Sequence, residues 1–128
     1  MTMERLRQRA DFLAAARGVS VPARHFVLQA RDRREPGPIR VGFTVSKKVG
    51  NAVERNRVRR RLREVVRLQS GDALRPGHDY VLIGRRAALS ADFAALIDDY
   101  QRAIARLHTK RRSSQAHPSD SASASPNS

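Results

Sequence analysis

Basic side chains are concentrated between residues 46 and 67, where nine Lys or Arg accompany only two Glu. On a helical wheel at about 100° per residue, four apolar residues of 51–68 cluster on one side: Val58, Leu62, Val65 and Val66. The opposite side carries one amide and three guanidinium groups: Asn56, Arg60, Arg63 and Arg67. Guanidinium groups present paired donors to phosphate oxygens, and an amide can bond a sugar hydroxyl or a base edge. The pattern predicts a helix that packs by one side and binds nucleic acid by the other.

The alternative for this segment is an ordinary solvated basic surface. Exposed helix faces of that kind usually pair Glu with Lys at i,i+4, whereas here like charges are adjacent. Binding to a polyanion would relieve that repulsion. Asn51 and Glu54 have the spacing of a capping box, which predicts the start of the helix. Ser70 and Gly71 predict its end.

The composition also favours a polyanionic partner. The 128 residues include 26 Lys or Arg against 12 Asp or Glu, a formal net charge of +14. Nucleic acid binds such chains by releasing counterions. An anionic membrane surface is the rival partner, but it requires exposed aromatic residues, and aromatics are 5% of the chain.

Other classes of protein are disfavoured by what the composition lacks. Without cysteine, disulfides and thiolate metal sites are excluded. No apolar run reaches the length of a membrane span, and the charged start has no apolar segment after it, as a secretory signal would. A cytoplasmic location is therefore expected.

Hydrophobic periodicity predicts an α+β domain over residues 1–112. The expected elements include helices at 11–17, at 51–68 and from Ser90 onward, with strands at 25–30, 39–45 and 80–83 and a short strand at 19–21. Their order is α-β-β-β-α-β-α around a small sheet. Residues 113–128 are rich in Ser and Ala, have no apolar side chain larger than Ala, and are predicted to be a disordered tail.

Residues 41–64 also carry a family resemblance. They read Val-Gly-Phe-Thr-Val-Ser-Lys-Lys-Val-Gly-Asn-Ala-Val-Glu-Arg-Asn-Arg-Val-Arg-Arg-Arg-Leu-Arg-Glu, which resembles the signature of the bacterial ribonuclease P protein family. The resemblance extends over about residues 3–110 and includes the Arg-Leu-Arg-x-Arg-x-Asp-Phe run at 5–12. It implies an α/β sandwich with a left-handed crossover at the motif helix, an exception to the usual handedness.

The resemblance implies a function as well. The family protein is the small subunit of ribonuclease P, which removes the 5′ leader of precursor tRNA. It binds ribonuclease P RNA through the basic helix and the leader in a cleft between the sheet and the first helix. The RNA subunit, with bound Mg²⁺, carries the hydrolysis, and one protein per RNA is expected. A ribosomal or other structural RNA-binding protein is the alternative, and composition alone does not separate the two.

Carried over by motif position, the expected RNA-facing residues are Lys47, Lys48, Arg55, Asn56, Arg57, Arg59, Arg60 and Arg63, to which the helical wheel adds Arg67. Phe12, Phe26 and Gln29 are expected to line the leader cleft, with ordinary core packing as the alternative for both Phe residues. Ala16 and Gln29 stand where relatives often carry an aromatic residue, so base stacking in the cleft is expected to be weaker here.

No other pattern indicates catalysis or a protein metal site. The four His residues are scattered without the spacing of metal ligands and are interpreted as incidental surface residues. Asp98 and Asp99 are adjacent, so they point in different directions on a helix. They are interpreted as solvated acids, with Arg102 as the partner of Asp98.

Overall fold

The computed structural model describes residues 3–69 and 73–116, with side chains described as far as Thr109. In chain order the elements are β1 (Met3–Arg5), α1 (Arg9–Ala16), β2 (Val19–Pro22), β3 (Phe26–Asp32), β4 (Ile39–Thr44), a 3₁₀ turn (Lys47–Val49), α2 (Ala52–Gln69), β5 (His78–Gly84), α3 (Ala87–Ser90) and α4 (Phe93–Ala116). The predicted α+β class is confirmed.

The five strands form one mixed sheet in the order β1-β4-β5-β3-β2. β5 is central: it runs parallel to β4, with Val41 beside Tyr80, and antiparallel to β3, with Leu28 beside Leu82. α2 is the crossover that connects β4 to β5. The sheet therefore fixes α2 at both of its ends.

Helices cover both faces of the sheet. α2 and α4 pack on one face over the main core, where Phe26, Leu62 and Leu96 are fully buried. α1 lies on the other face, where Phe12 and Ala15 belong to a smaller cluster. These two faces separate the predicted RNA-binding helix from the predicted leader cleft.

The start of α2 is fixed by the predicted capping box. The Asn51 side-chain oxygen accepts from the Glu54 backbone N–H at 2.9 Å, and the Glu54 carboxylate accepts from the Asn51 N–H at 3.0 Å. The predicted apolar side of α2 is buried, as expected: Val58, Leu62, Val65 and Val66.

Three features of the fold differ from the sequence prediction. β1 was not predicted, because its three residues are all exposed and show no alternation. Ser90 does not cap the last helix; it ends the short α3, and α4 begins at Phe93. α4 also continues to Ala116, beyond the predicted boundary at 112. The rest of the predicted tail, 117–128, lies outside the described residues.

None of the helices in 3–69 and 73–116 has the length and apolar character needed to cross a membrane.

Candidate nucleic-acid interface

The exposed side of α2 carries the predicted polar residues in one row: Asn56, Arg60, Arg63 and Arg67. A surface groove of about 440 Å³ runs along this row from Val53 to Arg63. The Asn56 side-chain oxygen accepts from an Arg59 guanidinium nitrogen at 2.7 Å. That bond orients the amide and leaves its nitrogen available to donate to a ligand. We call these four residues the α2 row.

The members of the α2 row differ in how firmly they are held. Within the part of the chain that the structure describes, Arg60 has no ion pair or side-chain hydrogen bond, so its charge is free for a ligand. The Arg63 guanidinium lies over the Phe43 ring, 5.7 Å from its centroid, a cation–π contact that keeps the charge exposed.

Arg67 is partly neutralised by its own helix. Its Nε donates to Glu64 at 3.0 Å. This hydrogen bond raises the pKa of Arg67 and lowers the pKa of Glu64. Arg67 therefore offers less free charge to a polyanion than Arg60 does.

The loop before α2 contributes a second cluster of basic residues. Lys47 and Lys48 are exposed on the 3₁₀ turn, which Ser46 caps by accepting from the Lys48 N–H at 3.3 Å. Arg55 reaches back and donates to the Gly50 carbonyl at 2.8 Å. The sequence analysis missed Arg86, which lies 3.6 Å from the Glu54 carboxylate and donates to the Val49 carbonyl. Arg86 follows β5 in sequence, so only the fold brings it here.

On the flank of α2 that faces α3, the arginine side chains donate hydrogen bonds to backbone carbonyls. Arg57, predicted to face RNA, is exposed but donates through Nε to the Leu89 carbonyl at 3.2 Å. Arg61 donates to the Ala91 carbonyl. These bonds hold α2 against α3 and the residue that follows it, so Arg57 has a structural role besides any contact with RNA.

The predicted leader-cleft residues do not all share one face. Phe12 is half-buried on the α1 face, where it packs with Leu6 and Val81. Gln29 also belongs to that face, because it pairs in register with Val81. Phe26 is fully buried in the main core on the opposite face, 6.5 Å from the Tyr100 ring. The cleft assignment of Phe26 is therefore wrong, and core packing accounts for it.

A charged network ties α1 to the sheet. The Asp79 side chain is fully buried and accepts from Arg33 at 2.6 Å and from Arg40 at 2.8 and 2.9 Å. Arg40 also lies 3.3 Å from Asp11 of α1. Burial alone would raise the pKa of Asp79, but the hydrogen bonds from Arg40 and Arg33 outweigh it, so the pKa lies below its usual value.

The histidine and aspartate predictions need correction. His25 is buried, not a surface residue, and its Nδ1 lies 2.8 Å from the buried Asp99 carboxylate. His78 is also buried, with Nδ1 2.9 Å from the Pro76 carbonyl. The prediction for Asp98 is confirmed, since it pairs with Arg102 at 2.7 Å. Across the described residues, no group of three or more His, Asp or Glu side chains is placed to hold a metal ion.

Comparisons with known proteins agree with this geometry. The family model described as Ribonuclease P matches residues 1–108. The ribonuclease P protein component of Ruegeria pomeroyi is 54% identical over 109 residues, 83% of this chain and 87% of the relative. That of Caulobacter vibrioides is 45% identical, over 84% and 72%.

Solved structures give the same result for the fold. The RNase P protein of Staphylococcus aureus has a TM-score of 0.68 at 31% identity, covering 80% of this chain and 95% of that one. The Thermotoga maritima RNase P protein also has a TM-score of 0.68 at 31% identity, covering 80% and 96%.

Proposed function

The chain belongs to the bacterial ribonuclease P protein family and is a protein subunit of ribonuclease P in tRNA processing, and from that premise we propose how its two faces are used. The α2 row and the Lys47–Lys48 turn bind ribonuclease P RNA. The α1 face, with Phe12 and Gln29, receives the 5′ leader of precursor tRNA. One protein serves each RNA.

The observation that carries the proposal is the two-sided character of α2. Val58 and Leu62 are fully buried, which fixes the rotation of the helix about its axis. Asn56, Arg60 and Arg63 are consequently exposed together. A row of guanidinium groups that the fold holds in place suits phosphates at the fixed spacing of a folded RNA.

In this proposal the RNA subunit performs the phosphodiester hydrolysis, with Mg²⁺ bound by RNA and substrate. The protein contributes affinity and position. Its positive charge lowers the repulsion between two polyanions, the catalytic RNA and the precursor tRNA. Holding the leader fixes the cleavage site relative to the RNA, and such positioning lowers the activation barrier. The protein therefore accelerates cleavage most when Mg²⁺ is scarce.

The test is cleavage of a precursor tRNA at limiting Mg²⁺ by ribonuclease P RNA alone, by RNA with protein, and by protein alone. We expect the protein to accelerate accurate 5′ cleavage by the RNA and to be inactive by itself. A matched substrate with a single-nucleotide leader should gain less from the protein, because it cannot reach the α1 face. Accurate cleavage by the protein alone, or no acceleration of the RNA, would contradict the proposal.

A further inference from the structure

A second groove, of about 300 Å³, lies beside the α2 row, between β1 and the C-terminal half of α2. Its floor is apolar and includes Val41, Phe43 and Val66. Its rim carries three guanidinium groups: Arg5, Arg63 and Arg67. We call it the β1–α2 groove. An aromatic floor under a cationic rim suits a flat, uncharged ring attached to an anionic backbone.

The strand register places Arg5 on the face of the sheet that borders the groove. β1 runs parallel to β4 with Arg5 beside Val41 and Glu4 beside Arg40. Val41 faces α2 in the main core, so Arg5 lies on the α2 side of the sheet. Arg40 bonds Asp79 and Asp11 on the α1 side, so Glu4 belongs to that opposite face. Glu4 is nevertheless among the residues that line the groove, where its one carboxylate is outnumbered by the guanidinium groups of Arg5, Arg63 and Arg67.

The Phe43–Arg63 pair gives the groove a stacking surface. Phe43 is half-buried, and the Arg63 guanidinium lies over its ring at 5.7 Å from the centroid. Unpaired bases in RNA stack on aromatic rings and on guanidinium planes. Met3, 40% exposed, closes the β1 end with an adaptable apolar side chain.

We propose that the β1–α2 groove binds one unstacked nucleobase of RNA, held against the Phe43–Arg63 pair, with the neighbouring phosphates on Arg5 and Arg63. The inference rests on the proposed function of α2, because Arg63 belongs both to this groove and to the α2 row. That continuity favours an RNA occupant over an unattached aromatic ligand. The base must be unpaired, since the floor lies below the guanidinium rim and a base in a helix cannot enter.

The test compares binding of the full chain to a single-stranded RNA hexamer and to an abasic hexamer with the same backbone. Base stacking on aromatic side chains predicts roughly 5- to 160-fold tighter binding of the hexamer that carries bases. Phe43→Leu, which keeps the apolar character but removes the ring, should reduce that ratio towards one. Phe93→Leu is the matched control: Phe93 is a half-buried residue at the start of α4, outside both the groove and the α1 face, and its loss should leave the preference in place.

A second measurement covers the case in which Phe43→Leu fails to fold. In the wild-type chain, a base seated in the groove should shift the methyl NMR resonances of Met3, Val41 and Val66 through its ring current. The abasic hexamer should leave them unmoved. Equal affinity for the two hexamers, a preference that survives Phe43→Leu, or shifts absent from these three methyl groups would overturn the proposal.

The result can be separated from the proposed function of α2. Arg5→Gln removes a charge from the groove rim and should weaken hexamer binding more than Arg106→Gln, which removes an exposed charge of α4 outside the groove. If Arg60→Ala weakens binding of ribonuclease P RNA while the hexamers bind alike, α2 binds RNA and the groove holds no base. If Arg60→Ala has no effect on that RNA, the α2 proposal itself fails.

Discussion

Arg60 and Leu62 are two positions apart on α2 and have opposite surroundings: Arg60 is exposed and Leu62 is fully buried. We expect Arg60→Ala to weaken binding of ribonuclease P RNA while stability stays nearly unchanged. If Arg60 contacts one phosphate, the slope of log affinity against log salt should fall by roughly one unit. Leu62→Ala should cost roughly 2–5 kcal/mol of unfolding free energy.

RNA titrations across a salt series and denaturant unfolding of both variants measure these effects. Unfolding by Arg60→Ala together with a silent Leu62→Ala would mean that α2 is rotated the other way and that the proposed RNA surface is wrong.

The Asp79 carboxylate makes stability depend on acid pH. Its pKa is lower in the folded chain than in the unfolded chain, where an Asp has a pKa of about 4. A depressed pKa contributes stability that is complete above the unfolded pKa and is lost as pH falls towards the folded pKa. We expect the unfolding free energy to decline below about pH 5, and this decline to be shallower in Asp79→Asn.

At neutral pH, Asp79→Asn should itself cost about 3–5 kcal/mol, because Arg33 and Arg40 lose their buried counter-charge. Asp98→Asn is the matched control. Asp98 and Arg102 form an exposed pair, and its loss should cost less than about 1 kcal/mol. Denaturant unfolding at a series of pH values gives both results, and equal losses in the two variants would refute the role assigned to Asp79.

Sequence reasoning predicted residues correctly where the interaction is local. The capping box spans three positions and the α2 faces follow from helical periodicity, so both could be predicted and both are confirmed. His25 and Asp99 are 74 positions apart, and no local pattern reveals that they meet. The same reason explains the misplacement of Phe26, since a strand's alternation does not say which face carries which helix.

The elements were predicted where they carry a clear apolar period. β4 and α2 have one, β3 and β5 were predicted from short apolar runs, and all four were found. β1 is a three-residue edge strand whose pattern is exposed throughout, and it exists because β4 offers free backbone groups at the sheet edge. Because Met3 and Arg5 of β1 form one wall of the β1–α2 groove, the groove could not be predicted without that strand.

The packing of α1 on the sheet depends on Gly42 of β4. A Cβ at that position would lie 2.5 Å from Cε1 of Phe12 and 3.1 Å from Cβ of Leu6. We expect Gly42→Ala to displace the Phe12 ring and to cost roughly 1–3 kcal/mol of unfolding free energy. Adding Phe12→Leu should recover part of that loss, since the smaller side chain leaves room for the methyl group.

Denaturant unfolding of the two single variants and the double variant gives the coupling energy. Strictly additive losses would mean that the methyl group is accommodated without moving Phe12, and the proposed close contact would then be unimportant.

The net charge of +14 acts on the whole molecule. Like charges destabilise the compact chain by self-repulsion, and salt screens them over about 10 Å at 0.1 M. We expect the thermal midpoint of the free protein to rise as salt increases, while its affinity for RNA falls over the same range. A midpoint that fell with salt would show that surface ion pairs outweigh the repulsion.

The sheet order has a consequence for the life of the chain during translation. β5 joins the β4–β1 pair to the β3–β2 pair, yet it is the last strand that the ribosome makes. Until residue 84 has emerged, the nascent polypeptide holds two separate strand pairs, each of marginal stability alone. α2 then has no complete sheet on which to bury its apolar side. A product of premature termination before β5 is thus a polycation without a fold, open to proteolysis.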